Sequence, residues 1–222
     1  MARRCGFTLM ELMVVTVASS AVLIAVAGMY AYIMSRLSAD ASESTLFLQS
    51  ATLDSEIQRV VQVSSSVSIV TVGGFNCLKC AVPSGGTDKN LDGVVDNAMP
   101  NSVDSSGNNA YTANRWVWFY MGDASGNPSS SGTQLWRAVL TSSSSIPSGS
   151  NKDSGWSLSN GNPRFNLVES FSATVNPTAE TATVTCTFSA LTRADRVGTG
   201  ESMVGNVTRI TTSRTYFWGD PR

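Results

Sequence analysis

Between Leu12 and Met34 the chain carries no charged residue, a run longer than the roughly 20 apolar residues a helix needs to cross a bilayer. A basic leader with Arg3 and Arg4 precedes it and ends at Gly6, and one carboxylate, Glu11, stands at its start. An ionised side chain in hydrocarbon costs on the order of 2.5–3.5 kcal/mol even on lenient insertion scales. Glu11 therefore needs a partner. A plain membrane anchor accounts for the apolar run but gives no reason for a carboxylate there.

Secretory signals are cut after their apolar region. Here the small-residue break lies before it, at Gly6. Cleavage at that point leaves Phe7 as a new amino terminus whose positive charge stands four residues from Glu11. In an assembly of like helices, the amine of one subunit can neutralise the carboxylate of its neighbour.

The segment Arg3-Arg4-Cys5-Gly6-Phe7-Thr8-Leu9-Met10-Glu11 resembles the processing motif of type IV pilins and type II secretion pseudopilins. The likeness covers Arg3 to about Val63. It implies a prepilin peptidase that cuts after Gly6 and methylates Phe7, and a Glu11 that guides docking into a helical filament. It also implies an inner-membrane subunit with a periplasmic C-terminal part, found after assembly in an extracellular pilus or a periplasmic pseudopilus. Other major and minor pilins or pseudopilins would be its partners.

The helix is expected to outlast the membrane. Leu46, Leu53 and Val60 recur seven apart, and Leu53, Ile57 and Val61 recur four apart, with charged residues between them. That pattern is amphipathic, with one face for packing on a domain. From Phe7 to Val63 the helix would be about 85 Å long. Gly28 lies inside its apolar half, where glycine costs roughly 1 kcal/mol relative to alanine. Either close helix packing or local unwinding on assembly, as in pilins similar to this chain, would explain it.

After Ser64-Ser65-Ser66 the period changes to that of strands, first at 67–72 and then at 115–121, 134–140, 165–175, 181–190 and 208–217. Turn-rich loops separate them at 122–132 and 141–162. The expected architecture is α+β. A leader spans 1–6, a transmembrane half-helix 7–35 and an amphipathic half-helix 36–63, with an antiparallel β-sheet head over 64–222. The order of strands and long loops resembles W-type minor pilins and J-type pseudopilins, the low-copy subunits near a filament tip.

The 222 residues are 42% hydrophobic and 14% charged, with a formal net charge of −1. No basic excess points to nucleic acid. Histidine is absent, which excludes serine–histidine and cysteine–histidine nucleophilic machinery and histidine metal sites. No nucleophile–base pair is legible, so the chain reads as non-enzymatic. The expected role is a minor pilin in pilus biogenesis, adhesion or motility, with a tip adhesin as a further partner. The alternative is a pseudopilin in protein export.

The run Asp88-Lys89-Asn90-Leu91-Asp92-Gly93-Val94-Val95-Asp96 places oxygen-bearing side chains at every second residue before a glycine and a further carboxylate. It resembles the first nine positions of a calcium loop, with Asp88, Asn90, Asp92 and Asp96 as side-chain ligands and the Val94 carbonyl as a backbone ligand. Met99 occupies the twelfth position, where a carboxylate would close the shell, unless Asp104 or a distant oxygen fills it. Structural Ca2+ or a plain acidic turn are the two readings.

Cys5 leaves with the leader, so Cys77, Cys80 and Cys186 remain. In an oxidising compartment the loop holding Cys77 and Cys80 is expected to be tied to Cys186, or closed as a small Cys77–Cys80 ring. Trp116, Trp118 and Tyr120 share one face of a strand, which suits a core; a partner contact surface is the alternative.

Overall fold

The structure is a computed structural model describing residues 8–89, 92, 94–100, 102–103, 105, 109–129, 132, 134–153, 156, 165, 167–195 and 204–218. Among the described residues the first element is a helix, α1 (Leu9–Gln62). Strands follow as β1 (Ser66–Val72), β2 (Phe75–Pro83), β3 (Gly86–Thr87), β4 (Asn97–Ala98), β5 (Ser102–Val103), β6 (Asn109–Ala110), β7 (Ala113–Gly122), β8 (Gln134–Leu140), β9 (Val168–Asn176), β10 (Thr181–Asp195) and β11 (Val204–Phe217). One helix with antiparallel sheets makes the fold α+β, as expected from the sequence.

The chain divides into two compact units, Met1–Glu43 with Leu191–Asn206, and Ser44–Ala190 with Val207–Arg222. In the first, residues 9–43 form a helix whose large apolar side chains, Leu12, Leu23, Ile24 and Met29 among them, stand exposed. It is long and apolar enough to cross a membrane, and none of its most apolar stretch is buried. Helical geometry continues through Gly28, and a Cβ built there meets no atom within 4 Å.

In the second unit, residues 44–62 of α1 bury Leu46, Leu53, Ile57, Val60 and Val61. These are the positions that the four- and seven-residue spacing marked, and each buried aliphatic side chain contributes roughly 1.5–3 kcal/mol. Ser64 ends the helix. Its hydroxyl donates to the Val60 carbonyl at 2.6 Å and its amide to the Val61 carbonyl at 3.1 Å, so two terminal carbonyls are satisfied locally.

Four strands pair in the order β1-β2-β7-β8, all antiparallel. Gly73 and Gly74, both at positive φ, make the two-residue turn between β1 and β2, where side-chain-bearing residues would be strained. The register opposes Leu78 to Phe119, Cys80 to Val117 and Phe119 to Arg137. These share the face toward α1, since Arg137 reaches Glu56 of the helix. On the opposite face, Trp118, Tyr120 and Trp136 lie under the loops that follow β7 and β8. Tyr120 donates to the Gly126 carbonyl, Trp136 donates to the Asp123 carbonyl, and the Lys152 ammonium sits 4.6 Å from the Trp136 ring.

Trp118 and Tyr120 are thus core residues rather than a partner surface. Burial on both faces also explains why β2 reads as a loop in the sequence: Cys77, Leu78, Cys80, Ala81 and Val82 are all buried, so polar and apolar residues do not alternate.

A second sheet runs in the order β11-β10-β9. Its inner face buries Ala173, Ala182, Val184, Cys186 and Phe188, with Val184 and Cys186 beside Leu53 and Ile57 of α1. Tyr216 donates from β11 to the Asp54 carboxylate on the helix. The strand spans expected at 134–140, 181–190 and 208–217 lie within β8, β10 and β11.

Candidate functional sites at the helix start and the acidic loop

Thr8 is the N-cap of α1 and Glu11 occupies the third helical position. The Glu11 carboxylate accepts from the Thr8 amide at 2.8 Å and from the Thr8 hydroxyl at 2.9 Å, and the Glu11 amide donates back to the Thr8 hydroxyl at 3.3 Å. This is a capping box, satisfying two of the orphan amides at a helix start. A carboxylate here therefore does have a local structural role, which the sequence reading overlooked although Thr-x-x-Glu before an apolar run is its usual signature. Gly6 and Phe7 lie outside the described residues.

Asp88, Lys89, Asp92 and residues 94–96 lie between the two paired strands of a short hairpin. Gly86 faces Ala98 and Thr87 faces Asn97, while the Asp96 amide donates to the Thr87 carbonyl at 2.8 Å. Asp88 accepts from the Asp92 amide at 3.3 Å, Asp92 from the Val94 amide at 3.0 Å, and Asp96 from the Lys89 amide at 2.8 Å. Asn90 lies outside the described residues. The Met99 amide is engaged with the Gly85 carbonyl at 2.9 Å, extending the hairpin neck.

Two arginines from distant elements enter this loop. Arg59 of α1 reaches Asp92 and, at 3.1 Å, Asp96, while contacting Glu56 at 3.3 Å. Arg137 of β8 reaches Asp92 at 3.0 Å and donates through Nε to Asp153 at 2.7 Å. The Arg137 guanidinium lies 5.0 Å from the ring of Trp156, which packs against Phe119 and Phe165. Arg137 is only 3% exposed, so its charge depends wholly on these acids. Burial alone would raise the Asp92 carboxyl; Arg137, the Val94 amide and Arg59 overcome that and hold it below the usual carboxylate range. Burial likewise opposes the Arg59 charge, and Asp92 and Glu56 outweigh it.

In the described part of the loop the carboxylates are engaged by protein donors. The described oxygens of Asp92 and Asp96 already accept from N–H donors, and a cation among them would lie against two guanidinium groups. Among the described residues no group of three acidic or thiol side chains is placed to hold a metal. Arg59 and Arg137 were not singled out from the sequence as loop partners, because nothing local links them to Asp92.

Cys77, Cys80 and Cys186 are free, buried thiols. Cys77 and Cys80 lie in β2 rather than in a loop, three apart and so on opposite faces of the strand, which precludes a small ring between them while β2 is intact. Burial pushes the three thiols up to about 11, 12 and 12 respectively, so each remains protonated at neutral pH.

No protein-family model matches the chain, and no curated protein or solved structure is significantly similar to it.

Proposed function

We propose that the chain is a non-enzymatic structural subunit, a minor pilin of a type IV pilus, cleaved after Gly6 by a prepilin peptidase and extracted from the inner membrane into a filament. The observation that carries this reading is the division of labour within one helix. Within residues 9–43 the uncharged run 12–34 presents an exposed apolar surface of membrane length, while residues 44–62 pack on a β-sheet head.

An exposed apolar helix suits hydrocarbon before assembly and the helical core of a fibre afterwards, where helices meet by close packing instead of by hydrophobic expulsion. Glu11 accepts from Thr8 within one subunit and, in this reading, exchanges that cap for the Phe7 amine of a neighbour on assembly. The head carries contacts to other pilins, pseudopilins or a tip adhesin.

The direct test is mass spectrometry of the protein extracted from its host, together with an inventory of sheared filaments. Mature chains should begin at a methylated Phe7 and be scarce in the filaments. Retention of Met1 in the extracted protein would overturn the reading. Recovery in a periplasmic secretion fibre in place of a surface pilus would reassign it to the pseudopilins.

A further inference from the structure

The outer face of the sheet β9-β10-β11 is a regular lattice of hydroxyl groups. Thr183 opposes Thr174 on one side and hydrogen-bonds Thr215 on the other at 2.8 Å. Thr185 likewise lies between Ser172 and Ser213, at 3.0 Å from the latter. Thr187 lies between Ser170 and Thr211, again with a 3.0 Å hydroxyl pair. Three ranks of three hydroxyls result, about 4.8 Å apart across strands and about 6.8 Å apart along them.

The pairing holds the hydroxyls in place and leaves each with further hydrogen-bonding capacity, because a hydroxyl has one donor and two acceptor positions. The chain alternation puts Phe217, 68% exposed, on this same face one rank beyond Thr215, while Tyr216 and Trp218 turn inward. Asn176 and Thr181, paired in β9 and β10, belong to that same rank. An Arg209–Glu169 pair closes the other end at 2.6 Å and cancels its own charge.

We propose that this face is a docking surface for a neutral, hydroxyl-rich polysaccharide lying along the strands. Charge complementarity selects the class: nine uncharged hydroxyls, beside an Arg209–Glu169 pair that neutralises itself, carry no net charge to draw in phosphate, a lipid headgroup or a strongly charged peptide. Water satisfies the hydroxyls in the free protein. A partner gains only by returning several hydrogen bonds at once, which a repeating polymer with several hydroxyls on each ring can do. The exposed phenyl ring supplies the apolar platform on which the C–H face of a sugar ring stacks. Side-chain fixation by strand pairing lowers the ordering cost of binding.

The inference concerns the head alone and stands or falls independently of filament assembly. The test is retention of the full chain in detergent on beads of cellulose, chitin and cross-linked dextran, compared with uncoated beads. The comparison is repeated for the triple variant Thr183→Val, Thr185→Val, Thr187→Val and for Phe217→Ala, with circular dichroism confirming the fold. Valine keeps the β-branched shape and removes only the hydroxyl. Specific retention on at least one polysaccharide, reduced about tenfold by the triple variant and reduced also by Phe217→Ala, is the expected result, and tenfold corresponds to about 1.4 kcal/mol. Should Thr185→Val alone be the only variant that folds, its partial loss of retention serves the same purpose. No retention above uncoated beads, equal retention of wild type and folded variants, or retention abolished by high salt would each overturn the proposal.

Discussion

Asp92 and Arg137 are 45 residues apart in sequence and meet at 3.0 Å, where a hairpin loop is fastened to the central sheet. Arg59 brings the helix to the same carboxylate, so one acidic loop ties together three elements that have no local reason to associate.

Replacing Arg137 by Met should destabilise the head by about 2–4 kcal/mol, because the largely buried Asp92 and Asp153 both lose its guanidinium, with Arg59 still beside Asp92. Urea unfolding followed by tryptophan fluorescence reads the change. Arg137→Lys should recover less than half, since one ammonium cannot bridge Asp92 and Asp153 in the geometry of a planar fork. Full stability of Arg137→Met would show that the cluster is not what holds the loop.

Acid should weaken the same contact. An unfolded aspartate binds its proton near pH 3.9, whereas the native Asp92 carboxyl lies lower. Below that value the unfolded chain takes up a proton that the folded chain refuses, so stability is complete above about pH 5 and falls as pH drops through the native value. Unfolding free energies measured downward from neutral pH should decline less steeply in Asp92→Asn than in the wild type.

Chelation tests the loop from the other side. With Arg59 and Arg137 holding Asp92, removal of calcium by a chelator should leave the thermal midpoint unchanged. A midpoint that rises with added calcium would show that the ion displaces Arg59, and Arg59→Ala should then enlarge the rise.

Glu180 adopts φ +52° in the turn between β9 and β10, where Asn176 accepts from the amides of Thr178 and Ala179. Non-glycine residues are disfavoured in this region. Glu180→Gly should therefore stabilise the head by about 0.5–1 kcal/mol despite the greater freedom of glycine in the unfolded chain. A decrease in stability would mean that the Glu180 side chain does more than occupy the turn.

At the helix start, Thr8→Val should remove the capping box and cost about 1 kcal/mol of local helix stability, seen as faster amide exchange over the first turn. Gly28→Ala should leave the head unaffected and strengthen the helix by about 1 kcal/mol, because a Cβ at that position meets open space. If the proposed filament forms, its impaired uptake of Gly28→Ala would mark that glycine as a point of unwinding or close packing there.

Some of this was fixed locally. An uncharged run beyond the length of a bilayer can hardly be anything but a helix. Likewise, the four- and seven-residue spacing of Leu46, Leu53, Ile57 and Val61 already names the face that is buried. Alternation did the same for β10 and β11, because a half-buried strand writes its geometry into successive residues, whereas β8 is buried on both faces from Leu135 to Ala138. The Thr8–Glu11 cap was also there to be read, three residues apart.

Tertiary structure decided the rest. A strand buried on both faces loses its alternation, so β2 and the true surroundings of Cys77 and Cys80 emerged only with the sheet order. The acidic loop has the spacing of a cation site, yet its charges are balanced by Arg59 and Arg137, brought from 33 and 45 residues away. Serine and threonine recur along three separate strands, but only the antiparallel register aligns them into one hydroxyl face. Periodicity records what a residue's own element does; which charges and hydroxyls meet across elements depends on chain packing that no local pattern encodes.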